Sequence, residues 1–339
     1  MKTKNFALIL GLLLLPTACQ APITSNVSGN NKAVNSKVND PDKIDDLNKG
    51  GTDYSGQNLS GQNFTGQDLS LANFTNCNLT NVNFTGANLT GAIFTGANMT
   101  GAKITSAIVK NANFSGINFT TIKGYNGNTN GFRSFDFSGA NLSGANLTNS
   151  NLTSANLTGT NLTNANLNST YLKDAIVKSA NFTGVDLTTT KGYNNTVNDF
   201  TYFDFTSAKL NGANLTNSKV NRTTLTNTNF SGANLTGAEL IYVTVTGTNF
   251  TGANFSGTKL SNEDAIAINF SGANLTNVDL STVKGLRYVV GDLTSANFTG
   301  ANLMGTNLTG LDMSYATLKD ANATNANFTN AEMDRVTLL

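Results

Sequence analysis

Large apolar residues recur at every fifth position along most of this chain. Tyr54, Leu59, Phe64, Leu69, Phe74, Leu79, Phe84 and Leu89 set the period, and Phe94, Met99, Ile104, Val109, Phe114 and Phe119 continue it. The residue two before each is usually small, as at Ala72, Ala87, Ala92 and Ala97. The residue just before is mostly Asn, and the one just after is mostly Thr or Ser. Roughly 51 such units fall in four in-register blocks between Tyr54 and Leu338, so the chain reads as a repeat array. A period of five suits neither a helix nor a plain strand. On a helix, successive centres would advance by about 140° net and scatter around the cylinder. The period works if each unit is one short side of a coil, with a corner between units. The central residue and the small residue two before it then point inward, while Asn and Thr point outward. Gly or Asn supplies the corner, where less common torsions are needed. Four sides close a coil of ~20 residues, and coils stacked at the ~4.8 Å spacing of neighbouring β-chains bond to those above and below. No coil buries its apolar centre alone, so stability comes from stacking.

Units such as Ala140-Asn141-Leu142-Ser143-Gly144 and Ala301-Asn302-Leu303-Met304-Gly305 resemble the pentapeptide-repeat family, over roughly the last 285 residues. The resemblance implies an all-β fold, a right-handed quadrilateral β-helix. It implies little about function, because a fold does not fix one. The family includes DNA-mimicking inhibitors of gyrase and many members without an assigned role.

The first residues carry a different signal. Lys2 and Lys4 precede the apolar run Phe6 to Leu15, which ends in Pro16-Thr17-Ala18-Cys19. A charged start, a short apolar stretch and small residues at a cut site read as a secretory signal. The run is too short to span a bilayer as a mature helix. Thr17-Ala18-Cys19 resembles the lipobox of bacterial lipoproteins, with Pro16 where that motif usually has Leu. The resemblance implies cleavage before Cys19, a lipid on Cys19 and a place in the bacterial cell envelope, with ordinary secretion as the alternative. Residues 20–51 are polar, rich in Asn, Ser, Lys and Asp, and have no apolar period, which reads as a flexible tether. The expected organisation is a signal peptide at 1–18, a tether at 19–51 and the repeat array at 52–339.

Composition narrows the chemistry. The chain has 21 Lys and Arg against 20 Asp and Glu, and no His. Loss of Lys2 and Lys4 with the signal leaves 19 basic and 20 acidic residues, a net charge of −1. Without His, a Ser-His-Asp triad and His-containing zinc sites are both impossible within the chain. Cys77 occupies an inward small position and reads as a small hydrophobe, not a catalytic thiol. The paired acids Glu263 and Asp264 read as a local bulge that turns both carboxylates to solvent. The array is therefore expected to have no enzymatic activity, no cofactor, no metal and no small-molecule substrate.

The repeat breaks near 120–136, 188–204 and 281–292. Phe119 is followed by Thr120-Thr121-Ile122-Lys123-Gly124-Tyr125, Leu187 by Thr188-Thr189-Thr190-Lys191-Gly192-Tyr193, and Leu280 by Ser281-Thr282-Val283-Lys284-Gly285-Leu286. In each, Gly falls where a core side chain belongs, which lets the chain leave the coil. The register resumes at Phe137, Phe205 and Leu293. The first two gaps, from Phe119 to Phe137 and from Leu187 to Phe205, fall slightly short of a full coil and read as distorted coils with a bulging side. With each counted as one coil, the breaks are expected on different faces. Ile108-Val109-Lys110 to Tyr125 and Ile176-Val177-Lys178 to Tyr193 share a pattern, which suggests duplication of a larger block. Structural relief is one reading of the breaks. The other is a partner-binding site built from Lys123, Tyr125, Arg133, Lys191, Tyr193, Tyr202, Arg287 and Tyr288.

Three functions fit the sequence. The first is a membrane-tethered structural or protein-interaction rod whose partner is an unknown protein or envelope component. The second is an ice-binding surface of outward Asn and Thr ladders. The third is a DNA-mimicking gyrase inhibitor, which would need an acidic surface that this chain lacks. Nucleic acid is not an expected partner.

Overall fold

A computed structural model describes residues 51–259 and 293–338. Within 51–259, parallel one-residue bridges join each coil to the next, and the regular step is 20 residues, as from Asp53 to Asn73. The bridges define face one (Asp53 to Asn73), face two (Asn58 to Asn78), face three (Asn63 to Asn83) and face four (Asp68 to Asn88). The bridging residue is the Asn position of each unit, and the central residue donates onward: Phe74 N–H reaches the Ile93 carbonyl at 2.7 Å, while Asn73 N–H reaches the Thr52 carbonyl at 2.9 Å. Residues 293–338 repeat this, with bridges such as Asn297 to Thr317 and Asn302 to Asn322. The quadrilateral coil expected from the period is present in both stretches.

The interior is filled by the expected register. Leu69, Phe74, Leu79, Phe84, Leu89 and Phe94 are all fully buried, as are Ala72, Ala87 and Ala92. Under face one the rings of Tyr54, Phe74, Phe94 and Phe114 stack with centroids 4.9, 5.1 and 4.8 Å apart and planes within 10°. These separations are the coil spacing itself, so each ring meets its neighbours at stacking distance without leaving the coil geometry. Corners take left-handed torsions, by Gly at Gly86 (φ 68°) and by Asn at Asn81 (φ 56°).

Two features of the polar positions were not foreseen. First, the outward Asn is not free: Asn146 Oδ1 accepts from Thr148 N–H at 3.2 Å and from Thr148 Oγ1 at 2.7 Å. Asn146 and Thr148 are accordingly half-buried rather than exposed. This local turn, in which Asn holds the backbone two residues on, recurs around the coils. Second, the inward small position often carries Thr instead of Ala. Thr160, Thr170, Thr228 and Thr248 are buried, and each hydroxyl donates to a carbonyl of the preceding coil, that of Phe137, Leu147, Phe205 and Leu225 respectively, at 2.7–2.8 Å. A buried hydroxyl is tolerated because it is bonded. Cys77 takes the same post, its Sγ 2.9 Å from the Tyr54 carbonyl, and burial pushes its thiol pKa up, which makes it a poor nucleophile.

The breaks differ from the sequence-based expectation in two respects. Register resumes at Phe132 and Phe200, one unit earlier than Phe137 and Phe205: both are fully buried, and Phe132 N–H donates to the Asn151 carbonyl as a regular centre does. The interrupted coils are therefore long, not short. Asn113 pairs with Asn141, a step of 28 residues, whereas Asn141 pairs with Asn161 at the regular step of 20 residues. Asn181 pairs with Lys209 across the second break in the same way. The complete four-sided coil survives, with one side lengthened by the difference. Both additions also lie on the same face. Face three runs through Lys103 and Lys123, resumes at Gly131, continues through Asn151 and Tyr171 to Lys191, and resumes again at Asp199. Different faces follow only if the stretch from Phe119 to Phe137, or from Leu187 to Phe205, counts as a whole coil; the bridges of Asn118 and Asp136, and of Asp186 and Asp204, place its ends on faces two and four, two sides apart.

The signal at 1–18, the tether at 19–51 except Gly51, Glu263 and Asp264, Arg287 and Tyr288, and the third break at 281–292 all lie outside the described residues, and Cys19 with them. Among the described residues no helix is long and apolar enough to cross a membrane, and no three His, Cys, Asp or Glu gather as metal ligands.

Candidate functional site

Each addition on face three is a small hairpin. Residues 124–131 leave the coil after Lys123 and return antiparallel to it, with Lys123 bridging Thr129; residues 192–199 do the same, with Lys191 bridging Val197. The bonds are the same in both. Gly124 N–H donates to the Asn128 carbonyl (3.0 Å), Tyr125 N–H to Gly131 (2.5 Å) and Asn130 N–H to Ile122 (3.0 Å). Their counterparts are Gly192 to Thr196 (3.0 Å), Tyr193 to Asp199 (2.7 Å) and Asn198 to Thr190 (2.7 Å). The tip is a single 3-10 turn, Tyr125–Gly127 or Tyr193–Asn195, with Asn126 or Asn194 at φ 51°.

Where face three turns into face four, each hairpin overhangs an open cleft. The first has a volume of about 450 Å³ and is walled by Ile108, Tyr125 and Phe135, with Arg133 and Asp136 at its rim. The second, about 280 Å³, is walled by Ile176, Tyr193 and Phe203, with Asp174, Tyr202 and Asp204 around it. The two sets are related by one constant shift in sequence, the same from Ile108 to Ile176 as from Tyr125 to Tyr193 or Phe135 to Phe203. Their apolar walls face solvent: Ile108 and Ile176 are each 53% exposed, Tyr125 45% and Tyr193 38%. Phe135 and Phe203, both 7% exposed, form the floors. Tyr202 crowds the second cleft, its ring edge-on to Tyr193 with centroids 5.3 Å apart, whereas the first cleft has Ser134 at that place and is wider.

Of the residues expected to form a partner site, Tyr125 and Arg133 meet at the first cleft, and Tyr193 and Tyr202 at the second. Lys123 and Lys191 stand at the hairpin bases on face three. Lys123 is exposed. Lys191 is held, its Nζ 2.8 Å from the Tyr171 hydroxyl and 4.1 Å from the centre of that ring. The structure thus brings six of the eight expected residues onto one edge, as two separate clusters. Sequence reasoning missed Ile108, Ile176, Phe135, Phe203, Asp136 and Asp204. The available signal was an apolar Ile at an outward post normally held by Asn, present at Ile108 and again at the matching place, Ile176.

Face three is also the basic face. The bridging positions on it include Lys103, Lys123, Lys191, Lys219 and Lys259, and Glu239 neutralises Lys259 at 2.9 Å. Faces one and two bridge mostly by Asn. Among the described residues the free cysteine is Cys77, which is buried and bonded.

The family of this fold is shown by comparison. A profile of the family Pentapeptide repeats matches the chain repeatedly, from 58–96 to 301–338. The matches together take in 58–120, 132–188, 199–284 and 292–338, well over half the chain, and both hairpins, apart from Asp199, fall in the gaps. The chain belongs to the pentapeptide-repeat family. Among solved structures it is similar to HetL of the cyanobacterium Nostoc, a pentapeptide repeat protein involved in heterocyst differentiation regulation. That likeness is at 21% identity over 84% of this chain and 89% of HetL, with a TM-score of 0.23. It is similar to a pentapeptide repeat protein of the Arabidopsis thaliana thylakoid lumen at 25% identity, over 38% of this chain and 70% of that one, TM-score 0.21. It is similar as well to QnrB1, a plasmid-mediated fluoroquinolone resistance protein, at 15% identity over 84% and 91%, TM-score 0.17. No curated protein sequence matches the chain.

Proposed function

We propose that this chain is a non-catalytic, lipid-tethered interaction solenoid of the bacterial cell envelope, and that the hairpin edge between faces three and four is its docking surface. One observation carries the docking reading: both described hairpins leave the same face and overhang equivalent clefts of exposed Ile and Tyr. A hairpin that merely relieved strain would have no reason to carry solvent-facing apolar walls, and such walls mark interaction sites. The tether rests on the sequence from Met1 to Gly51, with Cys19 as the lipidated residue. The ice-binding alternative is disfavoured by the Thr hydroxyls, which bond to Asn of their own unit, as at Thr148, Thr163 and Thr183. The DNA-mimic alternative is disfavoured by the lysines on face three.

Two measurements test the reading. Fatty-acid labelling of the expressed protein should be lost in Cys19→Ser; an unmodified mature N-terminus other than Cys19 refutes the anchor. Crosslinked pull-down from envelope fractions should capture a partner with the full chain, and not with Lys123, Tyr125, Lys191 and Tyr193 all changed to Ala. Equal capture by both moves the contact away from the hairpins.

A further inference from the structure

Two clefts related by a simple shift along one edge point to a ligand that repeats with the same shift. The clefts lie three coils apart, the span that Asn113, Asn141, Asn161 and Asn181 step across on face one. At ~4.8 Å per coil the shift is ~14 Å. An extended polypeptide rises ~3.3–3.4 Å per residue, so four residues cover ~13–14 Å, and because four is even the two side chains point the same way. Each cleft suits one large apolar side chain: an Ile wall, a Tyr wall and a Phe floor, with polar groups only at the rim.

The rims differ in charge, and that difference gives the ligand a direction. The first cleft has Arg133 and Asp136, which balance. The second has Thr201 where the first has Arg133, and Asp174 where the first has Ser106, so Asp174 and Asp204 leave it with two exposed carboxylates and no cation. A cation on the ligand beside the second cleft would meet both.

We propose, resting on the docking reading above, that the paired clefts bind one extended peptide segment. It places two apolar side chains, four positions apart, in the Ile108–Tyr125 and Ile176–Tyr193 clefts, with a Lys or Arg next to the second. The segment runs along the solenoid edge, across the coil direction, so its backbone stays solvated and its affinity comes from the two anchors. This differs from strand addition at a sheet edge, where main-chain bonds supply the affinity. Two weak anchors on one chain reinforce each other because the second binds intramolecularly.

The test uses the full chain and fluorescently labelled synthetic peptides, read by anisotropy. The parent probe is Ser-Leu-Thr-Ser-Thr-Leu-Lys-Ser, with its leucines four apart; companions place them three or five apart, or replace Lys by Glu. The four-apart probe should bind, and the three- and five-apart probes should bind roughly tenfold or more weakly, equivalent to about 1.4 kcal/mol. Ile108→Ser and Ile176→Ser, both at exposed sites outside the core, should each cause a similar loss. The Lys-to-Glu penalty should shrink in a variant with Asp174→Asn and Asp204→Asn. Equal binding across the spacing series overturns the proposal. So does binding of an N-acetylglucosamine oligomer that depends on Ile108 and Ile176 while no peptide binds, because the clefts would then be glycan sites. A chain that captures an envelope partner through its hairpins yet binds none of these probes sinks the peptide and leaves the docking reading standing. Failure of both capture and probe binding sinks both.

Discussion

A side chain at Gly124 has nowhere to go: a Cβ built there would lie 1.9 Å from the carbonyl oxygen of Gly131. Gly192 stands in the same relation to the Asp199 carbonyl, also at 1.9 Å. The glycine opens the hairpin because the returning strand passes directly over it. Its torsions do not require a left-handed residue, since φ is −106° at Gly124 and −100° at Gly192. Gly124→Ala should therefore lower stability by about 1–3 kcal/mol, the cost of forcing an overpacked site to shift. Gly144→Ala tests the contrast. There φ is 63° but nothing lies within 4 Å of the added Cβ, so the expected cost is about 1 kcal/mol from torsion alone. Urea midpoints check both. If Gly124→Ala unfolds at the parent midpoint, the close approach is not what selects glycine.

Leu147 is fully buried, and its neighbours Asn146 and Thr148 face outward. Leu147→Ala should cost about 2–5 kcal/mol. Thr148→Ala removes one hydroxyl bond to Asn146 at a half-buried site and should cost no more than about 1 kcal/mol. Comparable losses at both positions would contradict the inward and outward assignment.

The buried hydroxyl of Thr170 donates to the Leu147 carbonyl at 2.8 Å. Thr170→Val keeps the shape and removes the donor, so a loss of about 1 kcal/mol is expected. Thr170→Ala should do worse, because it removes the bond and also leaves a void. A Val variant as stable as the parent would show the hydroxyl to be incidental.

Asp68 and Asp312 hold outward posts where most units have Asn, and each carboxylate is held below its ordinary pKa by hydrogen bonds. The backbone N–H of Ser70 is the leading donor to Asp68 and the Ser314 hydroxyl to Asp312. A carboxylate whose pKa is depressed on folding stabilises the fold above its unfolded pKa and loses that contribution as pH falls through the folded value. The urea midpoint should therefore drop on acidification below about pH 4. Asp68→Asn and Asp312→Asn together should flatten that drop. An unchanged slope in the double variant would assign the acid sensitivity to other carboxylates.

The core was legible from residues such as Phe74, Leu79 and Phe84 because a strict period acts on one variable, the distance of a side chain from the coil axis. The corner Gly and Asn residues were legible for the same reason. Thr160 and Thr170 were not, since a hydroxyl on an inward post looks like an error until the carbonyl one coil away is in place. The hairpin register is hard to read because Phe132 and Phe200 follow Asn-rich stretches with no small apolar residue two before them. Counting each gap as a whole coil, where the bridges make it two sides, puts the breaks on different faces. Lys123, Tyr125, Lys191 and Tyr193 stood out by composition, whereas Ile108 and Ile176 became part of a site only once the chain of the next coil was folded over them.

The backbone bonds between coils all span about the same stretch of chain. Asn73 reaches back to Thr52, Phe74 reaches forward to Ile93, and even across a hairpin Phe114 reaches no further than Asn141. The mean sequence separation of such bonds is thus fixed by the circumference of a coil and not by the length of the protein. Relative contact order falls as coils are added, which is the reverse of β-sandwiches, whose distant strands must find each other. Assembly can begin at any adjacent pair of coils and spread by one closure of constant entropy at a time. For such a chain, length adds partners for docking without adding a longer search.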